Sequence, residues 1–228
     1  MSKLAYFVTG TDTEIGKTTV SSIIIRALAE KGLQTAAMKP VAAGAIQLED
    51  GLHNEDVDAL MKASNVQLPT PLICPYLLRT PVSPNLSAME DGKNIDLLQI
   101  TNCYQQISQQ VDAVIVEGVG GFLVPFSPSV LSADLAVQLA LPVIMVVGMK
   151  LGCINHALLT AEAIHARGLK LVGWVANCID FEMGFKEGNI ATLEKWLNAP
   201  RLGTIPYLKS FAHAERYLQL DILPNWPK

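Results

Sequence analysis

Hydrophobic residues along the chain fall into short unbroken runs, separated by longer stretches in which they recur every three or four positions. The runs predict strands at Leu4–Thr9, Gln34–Lys39, Val111–Glu117, Pro142–Val147, Leu171–Asn177 and Leu202–Ile205. The longer stretches predict helices. Between Lys17 and Lys31 the apolar positions are Val20, Ile23, Ile24, Ala27 and Leu28, and Gly32 follows as a stop signal. Further helices are expected over Glu55–Ala63, Ile95–Gln110, Ser132–Leu139, Ile154–Arg167 and Ile190–Leu197. Strand runs that alternate with helical runs imply a parallel sheet covered by helices. The runs at Val111 and Pro142 lack polar alternates, as strands buried on both faces must. Gln67–Pro84, with five prolines, reads as an ordered excursion from one domain, and Asp221–Lys228 as a surface tail.

Composition narrows this picture. At 228 residues the chain suits a single domain spanning 1–228, which would bury roughly 70–75% of its unfolded surface without a disulfide or metal staple. A hydrophobic content of 50% with 17% charged residues excludes disorder. The most apolar run, Leu139–Val147, is broken by Pro142 and falls well short of the ~20 residues of a membrane span. No membrane association is expected. The net charge of −4 carries no basic stripe, which argues against nucleic acid as a partner. The N-terminus runs into a strand with no signal-peptide pattern, so a cytoplasmic location is expected. Cys74, Cys103, Cys153 and Cys178 form no Cys-x-x-Cys pair and read as reduced thiols.

The strongest chemical signal is Val8-Thr-Gly-Thr-Asp-Thr-Glu-Ile-Gly-Lys-Thr-Thr19, between the first strand and the first helix. In that context a glycine-rich turn aims backbone N–H groups and a helix N-terminus at phosphate. Lys17 would reach the β- and γ-phosphates, the Thr18 hydroxyl would bind magnesium, and Gly16 would let backbone approach phosphate. Five residues separate Gly10 from Gly16, where the usual loop has four. The expected fold class is thus α/β, P-loop NTPase-like, with a mostly parallel sheet and helices on both faces.

Other candidates lie at the carboxyl ends of strands, where open parallel sheets bind ligands. Lys39 precedes Pro40-Val-Ala-Ala-Gly44 and would face the same crevice as Lys17; the alternative is a surface lysine before a proline turn. Glu117 ends the third strand, where P-loop enzymes place a magnesium-binding acid. Gly118, Gly120 and Gly121 leave room beside it. Asp56 by itself reads as a first-turn acid. Gly152-Cys153-Ile154-Asn155 opens a helix whose free N–H groups could hold an anion. Asn177 stands where many P-loop proteins read the base, or is an ordinary polar turn residue.

Taken together, Tyr6–Thr18, Lys39–Ala42, Glu117–Gly121, Val147–Ala157 and Gly173–Asn177 resemble the dethiobiotin synthetase family. The resemblance covers most of the chain in order, and the longer loop looks like that family's own version. It implies an ATP-dependent ligase of biotin biosynthesis. 7,8-Diaminononanoate, carbon dioxide and ATP would give dethiobiotin, ADP and phosphate, through a carbamate and a carbamic-phosphoric anhydride. By position, Lys17 and Lys39 would act on the reacting groups, and Thr18, Asp56 and Glu117 would hold Mg2+. Glu14, Ile15, Gly16, Lys17, Thr18 and Thr19 would wrap ATP together with Gly118, Val119 and Gly120, and Asn177, Pro206 and Tyr207 would flank the base. Thr13, Ala43 and Ser83, with Gly152, Cys153, Ile154 and Asn155, would hold the substrate. That last helix start would come from a second subunit, which implies a homodimer. A serine is common in the family at Ala43, and an acid at Cys178.

The competing reading from another class is a partner-regulated P-loop switch ATPase of the partitioning type. Those carry a second lysine early in the loop, where this chain has Thr11 and Asp12. A small-molecule kinase would use several lid arginines, and the chain has only five arginines in all.

Overall fold

The computed structural model describes residues 4–207 and 214–228; Met1–Lys3, which enter the reading of the N-terminus, lie outside that range. The chain runs through β1 (Leu4–Gly10), α1 (Lys17–Glu30), β2 (Thr35–Met38), β3 (Val41–Ala42), β4 (Ile46–Leu48), β5 (Gly51–His53) and α2 (Glu55–Ala63). Next come α3 (Thr70–Ile73), β6 (Tyr76–Leu77), α4 (Pro84–Glu90), α5 (Leu97–Gln110) and β7 (Ala113–Glu117). The last third holds α6 (Ser132–Leu139), β8 (Val143–Gly148), α7 (Cys153–Ala166), β9 (Leu171–Asn177), α8 (Lys186–Trp196) and β10 (Arg201–Ile205).

Six strands form one sheet in the order β10-β9-β8-β1-β7-β2, and every pairing is parallel. Such pairs need crossover connections, and α1 and α5–α8 supply them on both faces. Alternation along β1 shows the two layers. Tyr6 and Val8 pack with Ile23, Ile24 and Leu28 of α1. Ala5 and Phe7 pack into the opposite cluster with Ile100, Ala136, Ala157 and Ile164. From β1 the chain leaves toward β2, and from β7 it crosses back to β8, so the order reverses between adjacent strands. A crevice opens at their carboxyl ends.

The predicted α/β fold with helices on both faces is the observed one. Its periphery differs in places. The helix expected from Ile190 starts at Lys186, because the first turn, Lys-Glu-Gly-Asn, carries no apolar periodicity. The excursion at Gln67–Pro84 is ordered as expected: it contains α3 and β6, which pairs with β3, and leads into α4. The hairpin β4–β5 had no apolar pattern to announce it. The expected surface tail is a correction. Leu223 is buried, Trp226 packs against the α1-side core, and the Tyr6 hydroxyl donates to the Pro224 carbonyl. Two prolines made this segment look like a terminus, yet its apolar residues cover the end of the sheet.

Candidate active site

The loop between β1 and α1 is held by its middle. Ile15 is 1% exposed, and its side chain fills the space that a Cβ at Gly10 or Gly148 would need, at 2.7 and 2.5 Å. The Ile15 carbonyl accepts from Asn177 Nδ2 at 2.7 Å. Gly16 then turns with φ 84° and lies so close that a Cβ there would stand 2.1 Å from the same Nδ2. Glu14 has φ 55°, the left-handed region that costs a side chain about 1–2 kcal/mol. On the far side, Gly120 turns with φ 61° beside Thr13, and Gly118 N–H donates to the Val8 carbonyl at 2.9 Å. The Glu117–Gly121 turn and the phosphate loop therefore share one crevice. Lys17 Nζ points into the loop and donates to the Asp12 carbonyl at 2.9 Å. Burial, and then the neighbouring Lys39 ammonium, bring its pKa down to about 8. A phosphate anion there would favour the charged form further.

Four further groups close a ring. Thr18 Oγ1 lies 2.7 Å from Asp56 Oδ1 and 2.8 Å from Glu117 Oε1. Lys39 Nζ donates to Asp56 Oδ2 at 2.8 Å and to Glu117 Oε1 at 2.6 Å. Each member comes from a different element: the start of α1, the turn after β2, the first turn of α2 and the end of β7. Burial opposes charge on Lys39, but Glu117 and Asp56 outweigh it and push the ammonium up to about 12. Burial likewise opposes charge on Asp56, and Lys39 outweighs it, so the carboxyl is held below its ordinary range.

This donor set fits magnesium. A threonine has one proton, yet its oxygen sits at bonding distance from two carboxylates, so one contact sets oxygen against oxygen. Glu117 Oε2 is buried without a hydrogen-bond partner among the described residues. A buried carboxylate oxygen left so can accept a further donor or a cation. Among the described residues no group of three His, Cys, Asp or Glu converges on a point. Mg2+ does not require one, since it commonly takes one or two carboxylates and completes its shell with water and phosphate.

The remaining predicted residues sit around this centre. The Ala43 carbonyl accepts from Asn54 Nδ2 at 3.1 Å, and Asn54 Oδ1 caps α2, which fixes Asp56. Gly44 packs on Pro81, just before exposed Ser83, the N-cap position of α4. Cys178, Pro206 and Tyr207 line a cavity of about 440 Å3 with Lys186, Ile190 and Arg201, and Tyr207 packs on Phe181 at 5.8 Å. Asn177 is tied to the loop through its side-chain amide nitrogen. Gly152, with φ 94°, starts α7 without a side-chain cap, and Gly152 and Asn155 are exposed while Cys153 is buried and Ile154 half-buried. Beside it Lys150 Nζ meets Asp12 Oδ2 at 2.7 Å and holds that carboxyl below its ordinary range.

A family model described as an AAA domain matches residues 5–215. An ATP-dependent dethiobiotin synthetase of Janthinobacterium sp. (strain Marseille) is 56% identical, with 97% of each chain covered. That of Ralstonia nicotianae is 53% identical over 89% of this chain and 88% of its own. The chain belongs to the dethiobiotin synthetase family. Similar solved structures include a ParA family ATPase from Chlorobium tepidum TLS, with a TM-score of 0.60, 12% identity and coverage of 99% of this chain and 95% of that one. The MinD cell division protein of Aquifex aeolicus has a TM-score of 0.54 at 18% identity, covering 95% and 88%. At such identities the likeness shows a shared P-loop fold and nothing of activity. Against them, membership in the dethiobiotin synthetase family decides between the two readings of the sequence.

The predicted set is brought together at its centre: Lys17, Thr18, Lys39, Asp56 and Glu117 meet in one crevice. Sequence reasoning missed the Asp12–Lys150 pair and the role of Asn54. Asn54 was visible as a helix-starting residue, whereas Asp12 and Lys150 are 138 positions apart and carry no spacing signal.

Proposed function

We propose that this chain is an ATP-dependent dethiobiotin synthetase working as a cytoplasmic homodimer on 7,8-diaminononanoate, carbon dioxide and Mg-ATP. The observation that carries the reading is the meeting of two lysines, a hydroxyl and two carboxylates at one crevice. Both reacting partners are anions there. One amine of the diamine adds to carbon dioxide and gives a carbamate. A carbamate oxygen then bonds to the γ-phosphorus as the bond to ADP breaks. The second amine attacks the carbamate carbon, loses its proton, and expels phosphate as the ring closes.

Thr18, Asp56 and Glu117 would hold Mg2+, which when bound neutralises phosphate charge. Lys17 would bind the β- and γ-phosphates, and Lys39 would neutralise the carbamate or the transferred group. No side-chain nucleophile is needed, because positioning and charge stabilisation carry most phosphoryl transfer. Glu14–Thr19 and Gly118–Gly120 would line the nucleotide, with Asn177, Pro206 and Tyr207 at the base. Thr13, Ala43 and Ser83 would line the diamine. Its far carboxylate would sit at the Gly152–Asn155 helix start of a second copy. No described helix is long and apolar enough to cross a membrane. The deciding experiment supplies the purified protein with the diamine, bicarbonate and Mg-ATP, and looks for dethiobiotin by mass with matching release of phosphate. ATP turnover indifferent to the diamine would defeat the reading.

A further inference from the structure

We propose that Lys39 is a built-in stand-in for the metal: its ammonium holds Asp56 and Glu117 together until magnesium arrives, and the metal frees it to face the substrate. This rests on the reading of Thr18, Asp56 and Glu117 as metal ligands.

The arrangement carries it through charge and geometry. Lys39 is 2% exposed and donates to both carboxylates, at 2.8 and 2.6 Å. One of the oxygens it uses, Glu117 Oε1, is also the oxygen 2.8 Å from the Thr18 hydroxyl. Metal and ammonium thus need the same lone pairs. A purely structural ion pair would leave its members satisfied, but here they are not. Lys39 and Thr18 crowd onto Glu117 Oε1, Glu117 Oε2 has no hydrogen-bond partner among the described residues, and Thr18 offers one proton to two acceptors. The ammonium covers the site without balancing it. Exchange for a dication balances the two carboxylates fully and leaves one ammonium free.

What must move is small. The Lys39 backbone N–H is fixed to the Ile73 carbonyl at 3.0 Å, and Pro40 follows, so the main chain stays in place. The four-carbon stem can swing about it. An order of events follows. Before the metal binds, Lys39 is engaged by the carboxylates and is withheld from a carbamate or phosphoryl oxygen. Once the metal is seated, the same ammonium is released to join Lys17 in facing the reacting anions. Metal arrival is thereby coupled to assembly of the substrate side.

The test measures magnesium binding with ADP present, so that no turnover intervenes. Lys39→Met removes the competing charge at similar length and should bind magnesium about ten-fold tighter than the unaltered protein, because a like charge no longer shares the metal's oxygens. Equal or weaker binding overturns the proposal. Glu117→Gln should weaken magnesium binding; if it does not, the metal site is elsewhere and the proposal falls together with that assignment. Should Lys39→Met fail to fold, the unaltered protein still decides the matter. With ADP present, adding magnesium should raise labelling of Lys39 by an amine-directed reagent several-fold, read by mass spectrometry of the peptide. Labelling that stays flat means the ammonium has not left its carboxylates.

Discussion

Lys17 and Lys39 are both buried and face one crevice, yet their surroundings drive them in opposite directions. Lys39 is gripped by two carboxylates, whereas Lys17 meets a carbonyl oxygen and a like charge. The first is held by its carboxylates until a metal takes them, and the second waits for an anion. Lys17→Ala should therefore leave the fold intact, since among the described residues the hydrogen bond its ammonium makes is to the Asp12 carbonyl. Turnover should fall by about 10²–10³ or more, the usual cost of removing one strong electrostatic contact to a transition state. A thermal melt and a kcat measurement check the two halves. A folded variant with near-normal kcat would remove Lys17 from the phosphate loop. Glu117→Gln should act on the dependence of rate on magnesium more than on KM for the diamine. A rate that is normal and indifferent to magnesium makes Glu117 structural.

At the scale of elements, the phosphate loop is pinned to β9 through one residue. Gly16→Ala puts a methyl 2.1 Å from Asn177 Nδ2 at φ 84°, so it should lower both melting temperature and nucleotide affinity. The backbone part alone costs about 1–2 kcal/mol. Adding Asn177→Ala should recover part of the loss, because it removes the clash and leaves only the backbone strain. A double variant no better than the sum of the singles would place the damage elsewhere. The C-terminal segment is pinned in a similar way, by the Tyr6 phenol to the Pro224 carbonyl. Burial raises the Tyr6 pKa above its ordinary value near 10. A raised acid favours folding while it is neutral, so this contribution is complete below about pH 10 and is lost as pH climbs toward the folded value. Urea melts from pH 8 to pH 11 should show that decline, and Tyr6→Phe should flatten it. An equal decline in the variant would assign it to other groups.

The molecule as a whole raises the question of a second copy. If the Gly152–Asn155 helix start serves the neighbouring site, each site combines a phosphate loop from one chain with an anion hole from the other. Lys17→Ala disables the first, and Asn155→Asp sets a negative charge against the substrate carboxylate. Each homodimer should be nearly inactive. In a mixed dimer one site inherits both defects and the other neither. Co-refolding equal amounts should therefore restore on the order of a quarter of normal activity, since half the dimers are mixed and each keeps one intact site. Mixed dimers that form and stay inactive would show that each site is built within a single chain.

The sequence by itself determined the sheet and the phosphate loop. Ala113–Val116 and Leu171–Ala176 are strands because nothing polar interrupts them, and Gly10–Thr19 is a phosphate loop because its residues are contiguous. Lys39 and Glu117 were legible for the same reason, as the last residues of recognisable strands. Asp56 was not; alone it looked like any acid in a first helical turn, and only resemblance to a family singled it out. Tertiary structure decided the rest. It set Lys39 between Asp56 and Glu117, joined Asp12 to Lys150, fastened Asn177 to Ile15 and drew the apparent tail onto β1. Local pattern reports which face of an element is apolar. It does not report which charged groups, far apart in the chain, the packing of those faces brings within 3 Å.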